Sequence, residues 1–368
     1  GCIDESEKVL ELSPTNNLVA YWLAFLQHKQ GKSFSELMND ADNLSTAFVF
    51  PFRPEDEEIL LWAKENSNNW KPKYYLALLY KEKNQIAESR KLFSSCGSEP
   101  GFAPFYAARA EILGDVDSEQ ALSDLEKAID LEKNEWRYSK LLGEYYIQHN
   151  ENEKALAVIG PFYKTHSDNY IIGTLYAKTL LLNKRYNECS NLLSKIDILP
   201  FEGATIGREL YHEAELMQAI NEIRKKNYTK ALSFINDAKK WPENLGVGKP
   251  YQENIDERLE HWMTHLCYER TGKQAHATHL LQKIIDFRSK IDNPEINFLP
   301  ANDLITAWAV EKLHTKREAT EWLQEEVKKY PDNKTIQWCQ QIFEGEHPPT
   351  PGNSNSGIRL VEELSELK

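Results

Sequence analysis

Apolar residues recur along most of this chain at helical spacing, and small residues recur among them at longer, fixed intervals. In LLGEYYIQHNENEKALAVIGPFY (141–163), Gly143 and Ala155 stand twelve apart, with Tyr146 between them and Ile159 four beyond Ala155. In LYAKTLLLNKRYNECSNLLSKI (175–196), Ala177, Leu180, Cys189 and Leu193 hold the same offsets, shifted by 34 residues. Two antiparallel helices approach closely where small residues face each other at the crossing, and larger apolar residues one turn away fill the space on either side. Each pair then keeps an apolar face that must stack on a neighbour. The twelve-residue pair of small positions recurs as Ala77/Ser89, Ala219/Ala231 and Ala307/Ala319. His265/Ala277 fits with one large member, Ala107/Ala121 is fourteen apart and implies a longer turn, and Ala24/Glu36 is degenerate. The pattern predicts an all-α chain of about eight helix pairs.

A 34-residue period with one small residue in each of two helices resembles the tetratricopeptide repeat. The resemblance implies a right-handed superhelical array, a solenoid of antiparallel helix pairs with a concave groove. Pro331 falls where such repeats stop their second helix, and Pro14 does the same for an earlier one. Counting back twelve from Pro14 puts Cys2 in a small position, so the chain reads as an excised fragment starting midway through a pair. The Gly-Cys start otherwise matches a lipidated N-terminus. The array is expected over 1–346, a flexible linker HPPTPGNSNSG over 347–357 and a short amphipathic helix over 358–368. That helix lines up Ile358, Leu360, Val361, Leu364 and Leu367 on one side. At about 11 residues it is marginal alone and needs a surface, either the array's own groove or another domain.

Three departures break the period. Ala231 to Ala277 is 46, twelve in excess, which is taken up by WPENLGVGKPYQEN (241–254). Cys189 to Ala231 is 42, around ILPFEGATIGREL (198–210), and Ala277 to Ala319 is 42, centred on DNPEINFLP (292–300). Insertions in a solenoid map to loops, often beside the binding face. The 241–254 stretch is expected to be ordered, with Trp241 buried and Pro242 ending the preceding helix. It reads first as a shaped loop packing Trp241 and Leu245 against the array, and alternatively as one that overhangs the groove and presents Asn244 and Lys249 beside a pocket shared with the 198–210 insertion. Residues 199–250 resemble the C-terminal repeat region of large bacterial proteins that carry an N-terminal mutarotase-like β-sandwich domain of unknown function. Phe201-Glu-Gly, Tyr211-His-Glu-Ala and the Pro242–Pro250 loop carry that match. It implies an accessory helical region docking a β-sandwich that this chain lacks, and no sugar chemistry carries over with it.

Charge and chemistry narrow the function. The net charge of −13 disfavours a phosphate backbone, so nucleic acid is not an expected partner. No run approaches the ~18–20 apolar residues of a membrane span. Five cysteines, widely spaced and without a Cys-x-x-Cys, suggest neither disulfides nor zinc and point to a reducing, cytoplasmic setting. Cys2, Cys96 and Cys189 fall in small positions, where a thiol packs as a small hydrophobe. GVGKP lacks a phosphate loop's pattern, because Glu243 stands at the first glycine and Pro250 at the hydroxyl. His261 and His265 have metal-binding spacing, but HWMTH lacks the glutamate and His265 occupies a crossing position. Glu202 and the carboxylates of YHEAE (211–215) could pair as a general acid and base, but among 57 acidic residues nothing singles them out or fixes their distance. No cofactor, metal or catalytic residue is expected.

The repeat offsets aim Tyr21, Phe25, Tyr74, Trp262 and Trp308 at the groove, with Arg137, Lys140, Lys178 and Arg270 on the same face. Glu144 stands where the carboxylate clamp of chaperone-binding arrays has asparagine, so that clamp is not expected. The reading is a non-catalytic scaffold that binds an extended peptide, a partner domain or the rest of its own full-length chain through the groove and the 241–254 loop. A sugar-binding groove is the remaining class.

Overall fold

The computed structural model describes residues 15–97, 100–114, 116–201, 203–288, 299–351 and 356–368, with Lys8, Leu12 and Ser13. Cys2, Pro14, Glu202, most of the third insertion and part of the proposed linker lie outside the described residues. Nineteen α-helices and three 3-10 turns form the regular structure among the described residues, with no strand.

The chain divides into two compact units, 1–151 and 152–368. The first holds α1 (Asn17–Lys29), α2 (Ser35–Asn43), α3 (Asp56–Asn66), α4 (Lys71–Glu82), α5 (Ile86–Ser95), α6 (Ala103–Leu113), α7 (Ser118–Leu131) and α8 (Trp136–Gln148). The second holds α9 (Asn152–Thr165), α10 (Tyr170–Leu182), α11 (Tyr186–Leu193), α12 (Ile206–Arg224), α13 (Tyr228–Ala238), α14 (Arg258–Arg270), α15 (Gln274–Arg288), α16 (Asp303–Leu313), α17 (Lys316–Lys329), α18 (Lys334–Glu344) and α19 (Ser356–Ser365). Within each unit, consecutive helices pack as antiparallel pairs, α4 on α5, α12 on α13, α14 on α15 and α16 on α17 among them. Each unit is thus an all-α solenoid stack.

The crossings sit where the small residues predict. Ala77 and Ser89 are fully buried, and the Ser89 hydroxyl donates to the Ala77 carbonyl at 2.8 Å. Ala177, Cys189, Ala219, Ala231, Ala307 and Ala319 are equally buried, as is Ala155. His265 fits its crossing by placing Nδ1 3.0 Å from the Ala277 carbonyl oxygen. Three details differ from the sequence reading. Ala107 is only half-buried while Ala110 and Ala121 are buried. Glu36 is exposed, with Met38 and Ala41 as the buried residues of α2. The helix α3 has no counterpart in the repeat pattern; Asp56 holds its start by accepting from the Phe52 and Arg53 amides at 3.1 and 3.0 Å and from Trp22 Nε1 at 2.8 Å. A leucine at Ala231 has no room to enter the α12/α13 crossing. Ala231→Leu is therefore expected to cost about 1–3 kcal/mol, read as a lower urea midpoint at unchanged slope.

The short turn that follows a helix is closed by main chain. Lys32, Gln85, Glu151, Arg185, Asn227 and Lys273 each donate their amide five residues back, to Gln27, Tyr80, Tyr146, Leu180, Glu222 and Tyr268, at 2.8–3.0 Å. The residue just before each donor, Gly31, Asn84, Asn150, Lys184, Lys226 or Gly272, has a positive φ. This left-handed closure satisfies carbonyls that the helix end would leave unpaired.

The 198–210 and 241–254 insertions pack into each other. Asn244 Nδ2 donates to the carbonyls of Leu193 and Ile196 at 2.8 and 2.7 Å, and its own carbonyl accepts from the Ile198 amide at 2.8 Å. Leu245 is fully buried in the same core cluster as Ile198 and Leu210. Gly246 has φ +73°, and a Cβ there would lie 2.7 Å from the Ile198 carbonyl oxygen. Trp241 is half-buried, with the Arg208 guanidinium 4.6 Å from its ring centre. α13 ends at Ala238, so Pro242 does not stop it; its extended backbone instead leads into the 3-10 turn Glu243–Leu245.

A second unexpected feature is a fully buried cation. Arg258 donates to Asp256 through Nε at 2.9 Å and Nη2 at 2.7 Å, and through Nη1 to Asp303 at 2.7 Å and Thr306 Oγ1 at 3.0 Å. It ties the start of α14 to the start of α16.

Candidate functional site

The amphipathic stripe near the C-terminal end lies on the second unit. Ile358, Leu360, Val361, Leu364 and Leu367 are all buried. They share a core cluster with Leu216, Met217, Ile220 and Ile223 of α12 and with Trp308 of α16. α19 packs along α12 and against the 3-10 turn Pro300–Asn302. Helices α12, α14 and α16 are the first members of their pairs, so α19 occupies the face that the repeat pattern assigns to the groove.

Charged side chains hold the helix at both ends. Arg359 makes a bidentate pair with Glu213 of α12, Nε to Oε1 and Nη2 to Oε2, both at 2.6 Å. Eleven residues on, Arg224 donates through Nη2 to Glu363 at 2.7 Å and to Glu366 at 2.6 Å. α19 and α12 therefore run in the same direction. Arg270 Nη2 reaches the Leu367 carbonyl at 2.8 Å, a cation at a helix C-terminus where unpaired carbonyls concentrate negative charge. Lys368 pairs with Glu311 and holds its ammonium 5.9 Å from the Trp308 ring centre. One flank stays open. A cavity of about 360 Å³ lies there, bordered by Leu181, Lys184, Tyr186, Glu213, Arg359 and Glu363 among others. Burial, then the charges of Glu363 and Glu213, push the Tyr186 phenol up to about 12.

Of the groove residues expected from sequence, Arg270 and Trp308 meet the residues just after α19, Leu367 and Lys368. Trp262 is fully buried behind them, its ring 5.4 Å from Trp308 and 5.3 Å from His265. Of the others, Tyr21, Phe25, Tyr74, Arg137 and Lys140 belong to the first unit. Tyr21 is buried, and its hydroxyl donates to Asp42 at 2.7 Å; burial first, then Asp42, hold that phenol well above its ordinary range. Tyr74 is buried among Trp70, Phe93, Phe102 and Phe105. Phe25 lies edge-on to Trp62 with the Lys29 ammonium at 4.8 Å. Arg137 is exposed and pairs with Glu135 at 2.7 Å, and Lys140 pairs with Glu144 at 2.8 Å. Lys178 and Lys249 are exposed, while Asn244 is spent on the insertion's own packing. Arg359, Glu213 and Arg224 were not singled out by the sequence reading as a binding set. The apolar stripe of 358–367 and the groove offsets of Arg270 and Trp308 pointed to the neighbourhood.

The chemistry-bearing residues are engaged structurally. His212 Nε2 lies 2.8 Å from Glu260 Oε1. Burial alone would push the Glu260 carboxyl up, but the neighbouring His212 and Lys239 hold it below the usual range. Burial holds the imidazoles of His261 and His265 below their ordinary value. Cys96, Cys189, Cys267 and Cys339 are buried free thiols; burial pushes Cys96 and Cys267 up to about 11 and Cys189 to about 12. Thiolates are the reactive form, so these residues act as packing at neutral pH. Among the described residues no group of three or more His, Cys, Asp or Glu is placed to hold a metal ion. None of their helices is long and apolar enough to cross a membrane.

No protein-family model matches this sequence, and neither does any curated protein. Solved structures do resemble it. The C-terminal part of a TPR repeat-containing protein from Cytophaga hutchinsonii is 12% identical, with a TM-score of 0.47 over 63% of this chain and 89% of that one. A signal transduction ATPase with a tetratricopeptide repeat sensor from Pyrococcus horikoshii is 15% identical, with a TM-score of 0.41 over 92% of this chain and 54% of its own. The TPR domain of P58(IPK) is 14% identical, with a TM-score of 0.32 over 99% of this chain and 94% of that one.

Proposed function

We propose that this chain is a non-catalytic protein-interaction scaffold whose second unit holds an amphipathic helix against the first helices of its pairs. The placement of α19 carries the reading: five apolar side chains are buried there and arginines latch both ends. The mode is a helix lying in an apolar groove, read through anchors on one side of the helix. It replaces the extended peptide of the sequence reading, because the apolar contacts and the arginine partners match helical spacing. The test uses the full chain carrying Leu360→Asp and Leu364→Asp, which expels its own helix from the apolar surface. A labelled peptide of residues 356–368 is expected to bind this variant saturably, and a scrambled peptide of equal composition is not. A folded variant that ignores the peptide would sink the reading.

A second reading, an accessory region docking a β-sandwich domain, is supported by a different surface. Leu199, Phe201 and Ile206 of the 198–210 insertion are 57–64% exposed, and apolar exposure of that size often marks an interaction site.

A further inference from the structure

We infer that the groove selects a partner helix with an arginine in register with Glu213, and that α19 is a resident competitor that such a partner must displace. The inference rests on the helix-in-groove reading and deepens it by specifying the partner and its regulation. The observation that carries it is the state of Glu213, whose side chain is 2% exposed on the groove floor and paired with Arg359 at both oxygens. Any occupant that covers this carboxylate without supplying a cation leaves a buried charge uncompensated, a heavier penalty than the loss of a surface contact. An arginine meets both oxygens at once, which a single ammonium does not. The other end sets a second requirement. Arg224 takes two carboxylates one turn apart, and Arg270 takes a carbonyl from the end of the helix. The fitting partner is therefore an amphipathic helix with an arginine in its first turn and glutamates in its last.

Displacement follows from how α19 is held. Its far-end latch is partly exposed, Arg224 at 33% and Glu366 at 69%, so solvent and salt weaken it. One flank borders the open cavity, and a helix this short is marginal once it leaves the surface. Its advantage is the tether, which keeps it at an effective concentration on the order of mM. A partner in trans then binds with an apparent affinity reduced by the fraction of time the groove is open.

The experiment measures binding of the labelled 356–368 peptide, and of the same peptide with Arg359→Glu, to the intact chain and to the Leu360→Asp/Leu364→Asp chain. The native peptide is expected to bind the double variant at least about tenfold more tightly than the intact chain. The Arg359→Glu peptide is expected to bind the double variant about tenfold or more weakly than the native peptide. Adding Glu213→Arg to the protein is expected to reverse that preference. Equal affinity for the two peptides overturns the inference, as does equal affinity of intact and variant chains for the native peptide. Failure of every peptide to bind a variant with native helicity overturns the underlying reading as well. Should the double variant not fold, the preference between the peptides is read on the intact chain at higher peptide concentration, with the same two outcomes.

Discussion

Arg258→Ala is expected to lower the unfolding free energy by about 3–5 kcal/mol, measured as a large fall in the urea midpoint. Arg258 has a fully buried side chain between Asp256 and Asp303, which are 1% and 0% exposed. Burial alone would favour the neutral guanidine, but the two carboxylates more than offset it and hold the group above its ordinary value. Burial likewise raises the Asp303 carboxyl, with Arg258 and then Arg288 pulling the other way. Without the guanidinium, Asp256 loses both of its charged hydrogen bonds to Arg258, and Asp303 keeps Arg288, 3.0 Å away. The loss also frees the Leu299 carbonyl and Thr306, so the connection from α14 to α16 loses its tie. Combining Arg258→Met with Asp256→Asn and Asp303→Asn should recover much of the loss, because no buried charge is then unpaired. A single-variant cost below about 1 kcal/mol would mean that water reaches the cluster and the network is not buried in solution.

Leu245→Ala is expected to cost about 2–5 kcal/mol, and replacing 243–252 with a Gly-Ser turn at least as much. A loop that merely overhung a groove would tolerate such shortening. This one supplies Leu245 to the core, two amide donors from Asn244 to the end of α11 and the segment after it, and a left-handed Gly246 against the Ile198 carbonyl. These contacts join the 241–254 insertion to the 198–210 insertion and to the end of α11 that precedes it. Cutting one loop therefore leaves the other with orphaned carbonyls and an open cavity. Thermal and urea unfolding of both variants check this, and an unchanged midpoint for the shortened chain would restore the loop to the role of a free binding arm.

The architecture was legible because helix crossings constrain side-chain size. Only small residues fit at Ala77, Ala177, Ala219 or Ala307, and within this chain the twelve-residue spacing recurs from pair to pair. Position 265 shows the tolerance of that rule, since a histidine fits by pairing with the facing carbonyl. The groove was less legible. The offset that aims an aromatic ring at the inner face also lets it pack between neighbouring helices, as Tyr21 and Tyr74 do. The insertion's polar residues misled for a related reason. Asn244 reads as a loop side chain open to a ligand, but its donors satisfy main-chain carbonyls that only the folded connection brings near. Long-range charge pairs were invisible in principle: Glu213 and Arg359 are 146 residues apart, and nothing local distinguishes them from the solvated charges around them. Arg258 was hidden in the same way, because an arginine in a helix reads as surface until its two aspartates are placed.

The hairpin turns carry a consequence for how this sequence can diverge. Their closing bond joins an amide to a carbonyl five residues earlier, so no side chain takes part in it. The turn asks only that one position tolerate a left-handed backbone, which glycine does freely and asparagine readily. Lys184 and Lys226 show that even a lysine is admitted, at some conformational cost. Mutations can therefore accumulate across the turns and the outer helix faces without altering the path of the chain. A fold built this way places few demands on most of its side chains, and the positions it constrains most are the small residues at the crossings, which carry no chemistry to advertise what the protein does.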